Sequence, residues 1–247
     1  MKNFIFIIGF LTLITACQSA NSTPIIEPAP TQTPLPTPIP DTSAPRISPT
    51  ATIPPTPESL PYYFTDEFND ASPYWEILQT GGMTEPAFVY ENSALRVDIS
   101  SPDTWSIGIH NAYTYPNVFL RARASASPTG SIGLICRYDE EAGWFEYNVS
   151  SDGTYNALYG QWLAPGVVKY TPISSDRSGL LTVGSPNYEL GLACQDNYLF
   201  LYVNDSLLRR LDVTNYGLIE GKIGISVSSL REAPITVLFE WVRVGLE

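Results

Sequence analysis

The chain of 247 residues is 44% hydrophobic and 15% charged, which is typical of a globular domain joined to non-globular sequence. Its formal net charge is −12 and its pI is about 4.4. Nucleic-acid binding needs a basic surface, and the longest basic run here is Arg209-Arg210, so the composition excludes a nucleic-acid-binding protein.

The N-terminus has the pattern of an export signal that ends in a cysteine. Lys2 precedes an apolar stretch from Phe4 to Ile14, far shorter than the roughly 20 residues that a transmembrane helix needs. The segment LITAC resembles the lipobox of bacterial lipoproteins, which implies cleavage between Ala16 and Cys17 and a lipid anchor on Cys17. An ordinary secretory signal with a chance cysteine is the alternative.

A tract rich in Pro, Thr, Ser and Ala follows this signal. Proline fixes φ and removes a hydrogen-bond donor, so the tract favours an extended, disordered stalk. At about 3.1 Å per residue the stalk would reach on the order of 100 Å. We therefore expect a signal peptide over residues 1–16, a stalk over 17–59 and one folded domain over 60–247. The expected location is the cell surface or the outer face of a bacterial membrane, with the membrane contacted through the lipid anchor.

From residue 60 onward, short apolar alternations are separated by turn signals about every 8–12 residues, which predicts an all-β, two-sheet antiparallel sandwich. Asp152-Gly153 predicts a hairpin. Two strands carry sets of residues that alternation places on one face each. These sets are Ile132, Leu134, Cys136 and Tyr138 in the first strand, and Leu190, Leu192 and Cys194 in the second.

The order of these segments carries a resemblance that spans Tyr62 to Val244. SIGLICRYDEEAGWFEYNVSSDGTY, then NYELGLACQDNYLFLYVNDSLLRRLDV, GKIGISVSS and VLFEWVRV resemble the concanavalin A-like jelly-roll superfamily. The chain is most similar to its LamG-like and 3-keto-disaccharide hydrolase-like (DUF1080) branch, whose usual F-x-D-x-F start resembles YYFTDEFNDASPYW. These motifs are structural, so they specify the fold better than the function.

Two cysteines remain inside the predicted domain. Related domains often carry cysteines at both places, so the resemblance implies a disulfide between Cys136 and Cys194. Two buried free thiols are the alternative. Two cysteines and one histidine are too few for a zinc site, and no metal ligand is predicted.

Catalytic residues are not predicted. The E-x-D-x-x-E pattern that the resemblance implies for a retaining β-glucanase of this fold is absent. Glu146 is a lone carboxylate that alternation places toward a groove, whereas glycoside hydrolysis normally needs two. Asp139 to Glu141 have the composition of a solvated turn. His110, the only histidine, has no nucleophile that the sequence can assign to it.

Aromatic residues are densest in the segment WFEYNVSSDGTYNALYGQW. Sugars stack their C–H faces on aromatic rings, while polar neighbours orient the hydroxyls. The predicted ligand-binding residues are Trp144, Glu146, Asn148, Tyr155, Tyr159 and Trp162. The alternative is that these rings fill the core or brace the outer sheet. No cofactor is predicted; calcium near Asp103 or Asp196 is conceivable, but neither position shows a dense ligand loop.

The sequence thus predicts a surface-anchored lipoprotein that presents a non-catalytic β-sandwich for carbohydrate or another cell-envelope polymer. Two alternatives stay open. One is a glycoside-acting hydrolase of the DUF1080-like type, which paired carboxylates lining a groove would favour. The other is a protein-binding or structural adhesin module, which an exposed apolar patch without a groove would favour.

Overall fold

The structure, a computed structural model, describes residues 60–184 and 186–246. The expected signal peptide, the lipidated Cys17 and the stalk over 17–59 lie outside the described residues. Within the described ranges the regular elements are fifteen strands and one short 3-10 helix, Thr214–Tyr216. In that part of the chain we find no helix that is both long and apolar enough to cross a membrane.

The strands form two antiparallel sheets, which confirms the predicted all-β jelly-roll sandwich. The eight-stranded sheet has the order β13 (Ser206–Asp212), β12 (Tyr198–Val203), β11 (Asn187–Gln195), β6 (Val118–Ala126), β15 (Ile235–Gly245), β4 (Ala94–Ile99) and β3 (Ala87–Glu91), with β1 (Phe64–Asp66) pairing to β15. The seven-stranded sheet has the order β10 (Val167–Arg177), β9 (Thr154–Ala164), β8 (Gly143–Ser150), β7 (Ser131–Asp139), β14 (Gly221–Ser228), β5 (Thr104–Tyr115) and β2 (Trp75–Gly81).

The main core lies between the two sheets, where period-2 alternation turns one side of each strand inward. Leu134 of β7 and Phe145 of β8 come from the seven-stranded sheet, while Leu192 of β11 comes from the eight-stranded one. All three are fully buried. Each such side chain contributes about 1.5–3 kcal/mol of transfer free energy relative to an exposed position.

A disulfide joins the two sheets within this core. Cys136 of β7 is bonded to Cys194 of β11, with their Cα atoms 6.7 Å apart. Both side chains are buried in the main core. The disulfide implied by the resemblance is therefore confirmed.

One predicted face assignment is wrong. Ile132, Leu134 and Cys136 face the main core as expected, but Tyr138 packs on the opposite face of the sheet with Trp144. The β7–β8 register shifts between Cys136 and Asp139, and Arg137 between them has φ +52°. A bulge adds one residue to a strand, so every later side chain changes face.

The seven-stranded sheet curls until its outer face becomes concave. Trp105 of β5 and Tyr170 of β10 are separated by four strands, and five strand spacings would place them about 24 Å apart in a flat sheet. Their ring centroids are instead 4.7 Å apart. The edge strands β2 and β10 consequently approach each other, although each is hydrogen-bonded only to its own neighbour within the sheet. We call this approach the seam.

Candidate functional site

The six predicted ligand-binding residues do not form one platform. Trp144, Glu146 and Asn148 share a face, as alternation predicts, and this is the concave face of the curled sheet. All three are nevertheless buried, because the seam closes over them. They cannot contact a ligand at the surface in this conformation, and their predicted binding role remains a prediction.

Tyr155 and Tyr159 lie on the other face of the same sheet. Tyr155 is buried in the main core, and the partly exposed Tyr159 packs against that core. The Tyr159 ring lies 4.8 Å from that of Tyr216, and its hydroxyl donates to the Ala142 carbonyl. These two tyrosines therefore contribute to the sandwich rather than to a surface shared with Trp144.

Aromatic and aliphatic side chains fill the concave face and form a second apolar cluster. Its buried members are Ile107, Ile109, Ile135, Tyr138 and Trp144, and its partly buried members are Leu78, Trp105, Trp162, Val168 and Tyr170. We call these ten residues the concave-face cluster. Its aromatic rings form a continuous row, since Tyr170 contacts both Trp105 and Trp144, and Trp144 contacts Trp162.

Glu146 lies within this cluster and accepts hydrogen bonds from neutral donors. Its Oε1 accepts from Trp105 Nε1 at 2.9 Å and from Asn148 Nδ2 at 3.3 Å. Its Oε2 accepts from Trp144 Nε1 at 3.3 Å. An indole N–H only donates, so this arrangement suits a group that accepts at both oxygens.

Burial raises the pKa of the Glu146 carboxyl, because desolvation penalises its charged form. The surrounding hydrogen bonds, including one from the Ser226 hydroxyl, oppose that rise. Burial also raises the pKa of Tyr170, and the neighbouring Glu146 adds to the increase. The Tyr170 hydroxyl is buried, yet it makes no well-formed hydrogen bond to any described residue. The concave face thus holds polar groups that apolar packing alone does not require.

A chain of polar side chains continues from Glu146 toward the surface. Asn148 donates to Glu146 and accepts from Asn156 Nδ2 at 3.3 Å. Asn156 in turn accepts from Ser175 Oγ at 2.7 Å, and Ser175 is exposed. The chain crosses β8, β9 and β10, so it links the buried carboxyl to the edge strand of the seam.

A surface cleft of about 560 Å³ lies where strands β5, β7, β8 and β14 meet their loops. The residues that line it are Asp103, Trp105, Thr129, Ser151, Ser228, Leu230, Arg231 and Glu232. We call it the Trp105 cleft. It combines one partly exposed indole with two exposed carboxylates and an exposed guanidinium. An amphipathic ligand with several hydroxyls fits this combination, because the ring offers an apolar face and the charged groups offer hydrogen bonds.

Two loops that border the cleft are fixed to each other. Thr104 N donates to Ser229 Oγ at 3.1 Å, and Ser229 N donates to the Thr104 carbonyl at 3.1 Å. Asp103 and Leu230 both adopt left-handed conformations, with φ of +53° and +51°. Such a conformation is costly for leucine and persists only where surrounding contacts enforce it, and it is found preferentially at functional sites.

Of the six predicted residues, Trp162 alone lines a described cleft. This second cleft, of about 370 Å³, lies between β2 and the β9–β10 hairpin. Trp162 Nε1 donates to the Tyr138 hydroxyl at 3.0 Å, and the hairpin exposes Leu163 beside it. One charged residue, Glu140, lines the second cleft, whereas three charged residues line the Trp105 cleft.

Neither aspartate considered for calcium gathers a ligand set. Within the described ranges no three His, Cys, Asp or Glu side chains come together to hold a metal ion.

His110 is buried against Phe64 and Trp75, and burial lowers its pKa to about 4. Its Nδ1 has no hydrogen-bond partner among the described residues. A neutral, enclosed imidazole in this position packs the core.

Sequence reasoning missed the residues of the Trp105 cleft. Trp105 and Arg231 are 126 positions apart, so no local pattern connects them. The only local signal is the start of β5, where Trp105 directly follows the segment SPDT. Their proximity depends on the pairing of β14 with β5.

Comparisons with known proteins support the fold. No protein-family model matches this chain, and no curated protein sequence matches it. A Bacteroides ovatus family 16 glycoside hydrolase from a mixed-linkage glucan locus is similar in structure (TM-score 0.52, 8% identity, 74% of this chain and 99% of that chain). So are a Crh5 transglycosylase in complex with NAG (0.50, 9%, 74% and 84%) and a sialidase (0.52, 10%, 74% and 18%). At these identities the likeness shows a shared jelly-roll fold.

Proposed function

We propose that this protein binds carbohydrate in the Trp105 cleft. The observation that carries the proposal is a partly exposed indole in a cleft with Asp103, Arg231 and Glu232 around it. An indole face stacks on the C–H face of a sugar ring, while carboxylate and guanidinium groups can accept from and donate to its hydroxyls. The polar groups lie on loops that are hydrogen-bonded to each other, which reduces the entropy that binding would cost.

The structural neighbours support carbohydrate as the ligand class. One is described as a glycoside hydrolase in complex with a glucan product, and another as a transglycosylase in complex with NAG. A shared fold does not transfer a site, so the proposal rests on the Trp105 cleft and the neighbours narrow the ligands worth testing first.

We further propose that the domain is presented at the bacterial cell surface. The support is the sequence alone: the lipobox-like LITAC, the Pro/Thr-rich tract and the resemblance to the LamG-like and DUF1080 branch of secreted proteins. A lipid on Cys17 and an extended stalk would hold the domain away from the membrane. The ligand would then be a polysaccharide outside the cell or part of the envelope.

A glycoside-acting hydrolase is the second candidate, and one observation favours it. Asp103 and Glu232 line the same cleft, and glycoside hydrolysis normally uses two carboxyl groups. Glu146 does not supply such a group in this conformation, because it is fully buried and does not line the cleft. Binding without cleavage and binding with cleavage therefore need separate assays.

The binding test is a polysaccharide and glycan screen on the purified protein, followed by calorimetric titration of each hit. We expect Trp105→Ala to weaken binding about tenfold or more, as loss of a central aromatic contact does. Arg231 is exposed, so Arg231→Ala should weaken binding without affecting folding. Trp241→Ala is the matched control, because Trp241 is a partly exposed indole on the eight-stranded sheet, away from the cleft.

Three results would overturn the proposed site, the ligand class or the proposal of binding without cleavage. Loss of binding in Trp162→Ala with unchanged binding in Trp105→Ala would move the site to the second cleft. Absence of binding across β-glucans, chitin-derived and peptidoglycan-derived glycans, and host glycans would remove carbohydrate as the ligand class. Release of reducing ends that Asp103→Asn and Glu232→Gln both abolish would replace simple binding by hydrolysis.

A further inference from the structure

Trp105 connects the concave face to the Trp105 cleft. Trp105 lines the Trp105 cleft and also belongs to the concave-face cluster. Its Nε1–H donates to Glu146, and Tyr170 packs against its ring from across the seam. The indole is therefore held at two points by residues that the cleft itself does not contain.

We infer that Glu146 is a positioning residue for the Trp105 cleft, fixing the plane of the Trp105 indole so that its face is offered to a sugar ring. This inference rests on the proposed function. Glu146 is fully buried, so it acts through Trp105 and not by touching ligand. The geometry requires an acceptor here, because an indole N–H without one would be left unsatisfied inside an apolar cluster.

Apolar packing alone does not account for a carboxyl at this position. A buried carboxyl without a cation is costly, and its donors among the described residues are neutral. A leucine would pack against Ile135 but would leave the Trp105, Trp144 and Asn148 N–H groups without this acceptor. What Glu146 supplies is two oxygens, each held by an indole or amide N–H, one of them that of the cleft residue Trp105.

The ionisation of Glu146 provides a signature that a merely structural role would not produce. Tyr170 is the titratable group that lies against it. Glu76, Tyr138 and Lys222 are among the other titratable groups on the concave face. None of these three is a cause of the raised Glu146 pKa, so the carboxyl titrates largely under the control of its own burial and hydrogen bonds.

The test follows the indole N–H signals of the ¹⁵N-labelled protein by NMR across pH, with each of the five tryptophans assigned by a Trp→Phe variant. We expect the Trp105 and Trp144 signals to move together, with a common midpoint above the ordinary glutamate range. The Trp241 signal is the control that should not follow Glu146.

Sugar affinity should follow the same midpoint and fall as the pH falls through it, because a protonated carboxyl is a weaker acceptor for the indole. Glu146→Leu should weaken binding about tenfold and shift the Trp105 signal, while Glu146→Gln, which keeps one oxygen, should restore part of the affinity without the pH dependence. If Glu146→Leu does not fold, the Gln variant and the wild-type titration still decide the question.

The inference and the proposed function can fail separately. If no glycan binds, the proposed function fails, while the NMR titration still shows whether Glu146 holds Trp105. If glycans bind in a Trp105-dependent way but the Trp105 signal does not titrate with that of Trp144, the positioning role is wrong. Unchanged affinity in Glu146→Leu would also overturn it.

Discussion

The two faces of the seven-stranded sheet are both buried, but by different means and with different side chains. The inner face is covered by another sheet and carries apolar residues such as Leu134 and Phe145, together with one half of a disulfide. The concave face is covered by its own edge strands and carries Glu146 and Asn148 among its rings. The inner face has the composition that stability favours, whereas the concave face holds polar groups at a cost.

The two faces also differ in how their buried titratable groups make stability depend on pH. His110 lies on the inner face and burial lowers its pKa, whereas burial raises the pKa of Glu146 on the concave face. A lowered histidine pKa destabilises the fold as the pH falls, and a raised glutamate pKa destabilises it as the pH rises above the usual glutamate value. The two faces therefore narrow the pH range of greatest stability from opposite sides.

The largest expected effects come from neighbouring residues of β7 that point to opposite faces. Leu134→Ala on the inner face and Ile135→Ala on the concave face each remove a fully buried side chain, so each should lower the free energy of unfolding by about 2–5 kcal/mol. Urea unfolding measures both. Only Ile135 pairs directly with Glu146, so only Ile135→Ala should also weaken sugar binding. Equal effects on affinity would mean that the two faces are not separate in function.

Removal of the disulfide tests the stability that the inner face alone contributes. The Cys136→Ser/Cys194→Ser variant should be about 2–4 kcal/mol less stable, because the bond closes a 58-residue separation in the unfolded chain. Urea unfolding with and without reductant measures this difference. The wild type should lose stability on reduction and the variant should not. Sensitivity of the variant to reductant would contradict this assignment.

Acid unfolding tests how His110 contributes to the stability of the fold. Its pKa is about 4 in the folded protein against an ordinary 6.5, so the stability it contributes is complete above pH 6.5 and is lost as the pH falls toward 4. The loss is about 3 kcal/mol at most, from 1.36 kcal/mol for each pH unit. His110→Phe keeps a ring against Phe64 and Trp75, and its stability relative to wild type should rise across this window. A difference that stays constant from pH 7 to pH 4 would refute the assignment.

The smallest expected effects come from removing two tyrosine hydroxyls that lie on opposite faces of the seven-stranded sheet. Tyr170→Phe removes a buried hydroxyl without a well-formed hydrogen bond, so it should be neutral or stabilising by up to about 1 kcal/mol. Tyr147→Phe on the inner face removes a hydroxyl that donates to the Tyr202 carbonyl at 3.3 Å, so it should destabilise by about 1 kcal/mol. Thermal unfolding of both variants measures the difference. The same sign for both would show that Tyr170 is satisfied in solution.

The sequence by itself determined the all-β sandwich, because alternation with period 2 and regularly spaced turn residues are local properties of the chain. It also placed Trp144, Glu146 and Asn148 on a common face for the same reason. It could not show the bulge at Arg137, which turned Tyr138 to the other face, since that register depends on β8 and β14 together.

Only the tertiary structure decided which faces are open. The curl that buries Glu146 and brings Tyr170 onto Trp105 arises from the twist accumulated over seven strands, which no single segment encodes. The Trp105 cleft likewise joins loops more than 100 residues apart through the pairing of β14 with β5. Alternation shows which side chains share a face, but whether that face meets solvent, another sheet or its own edges depends on the path of the whole sheet.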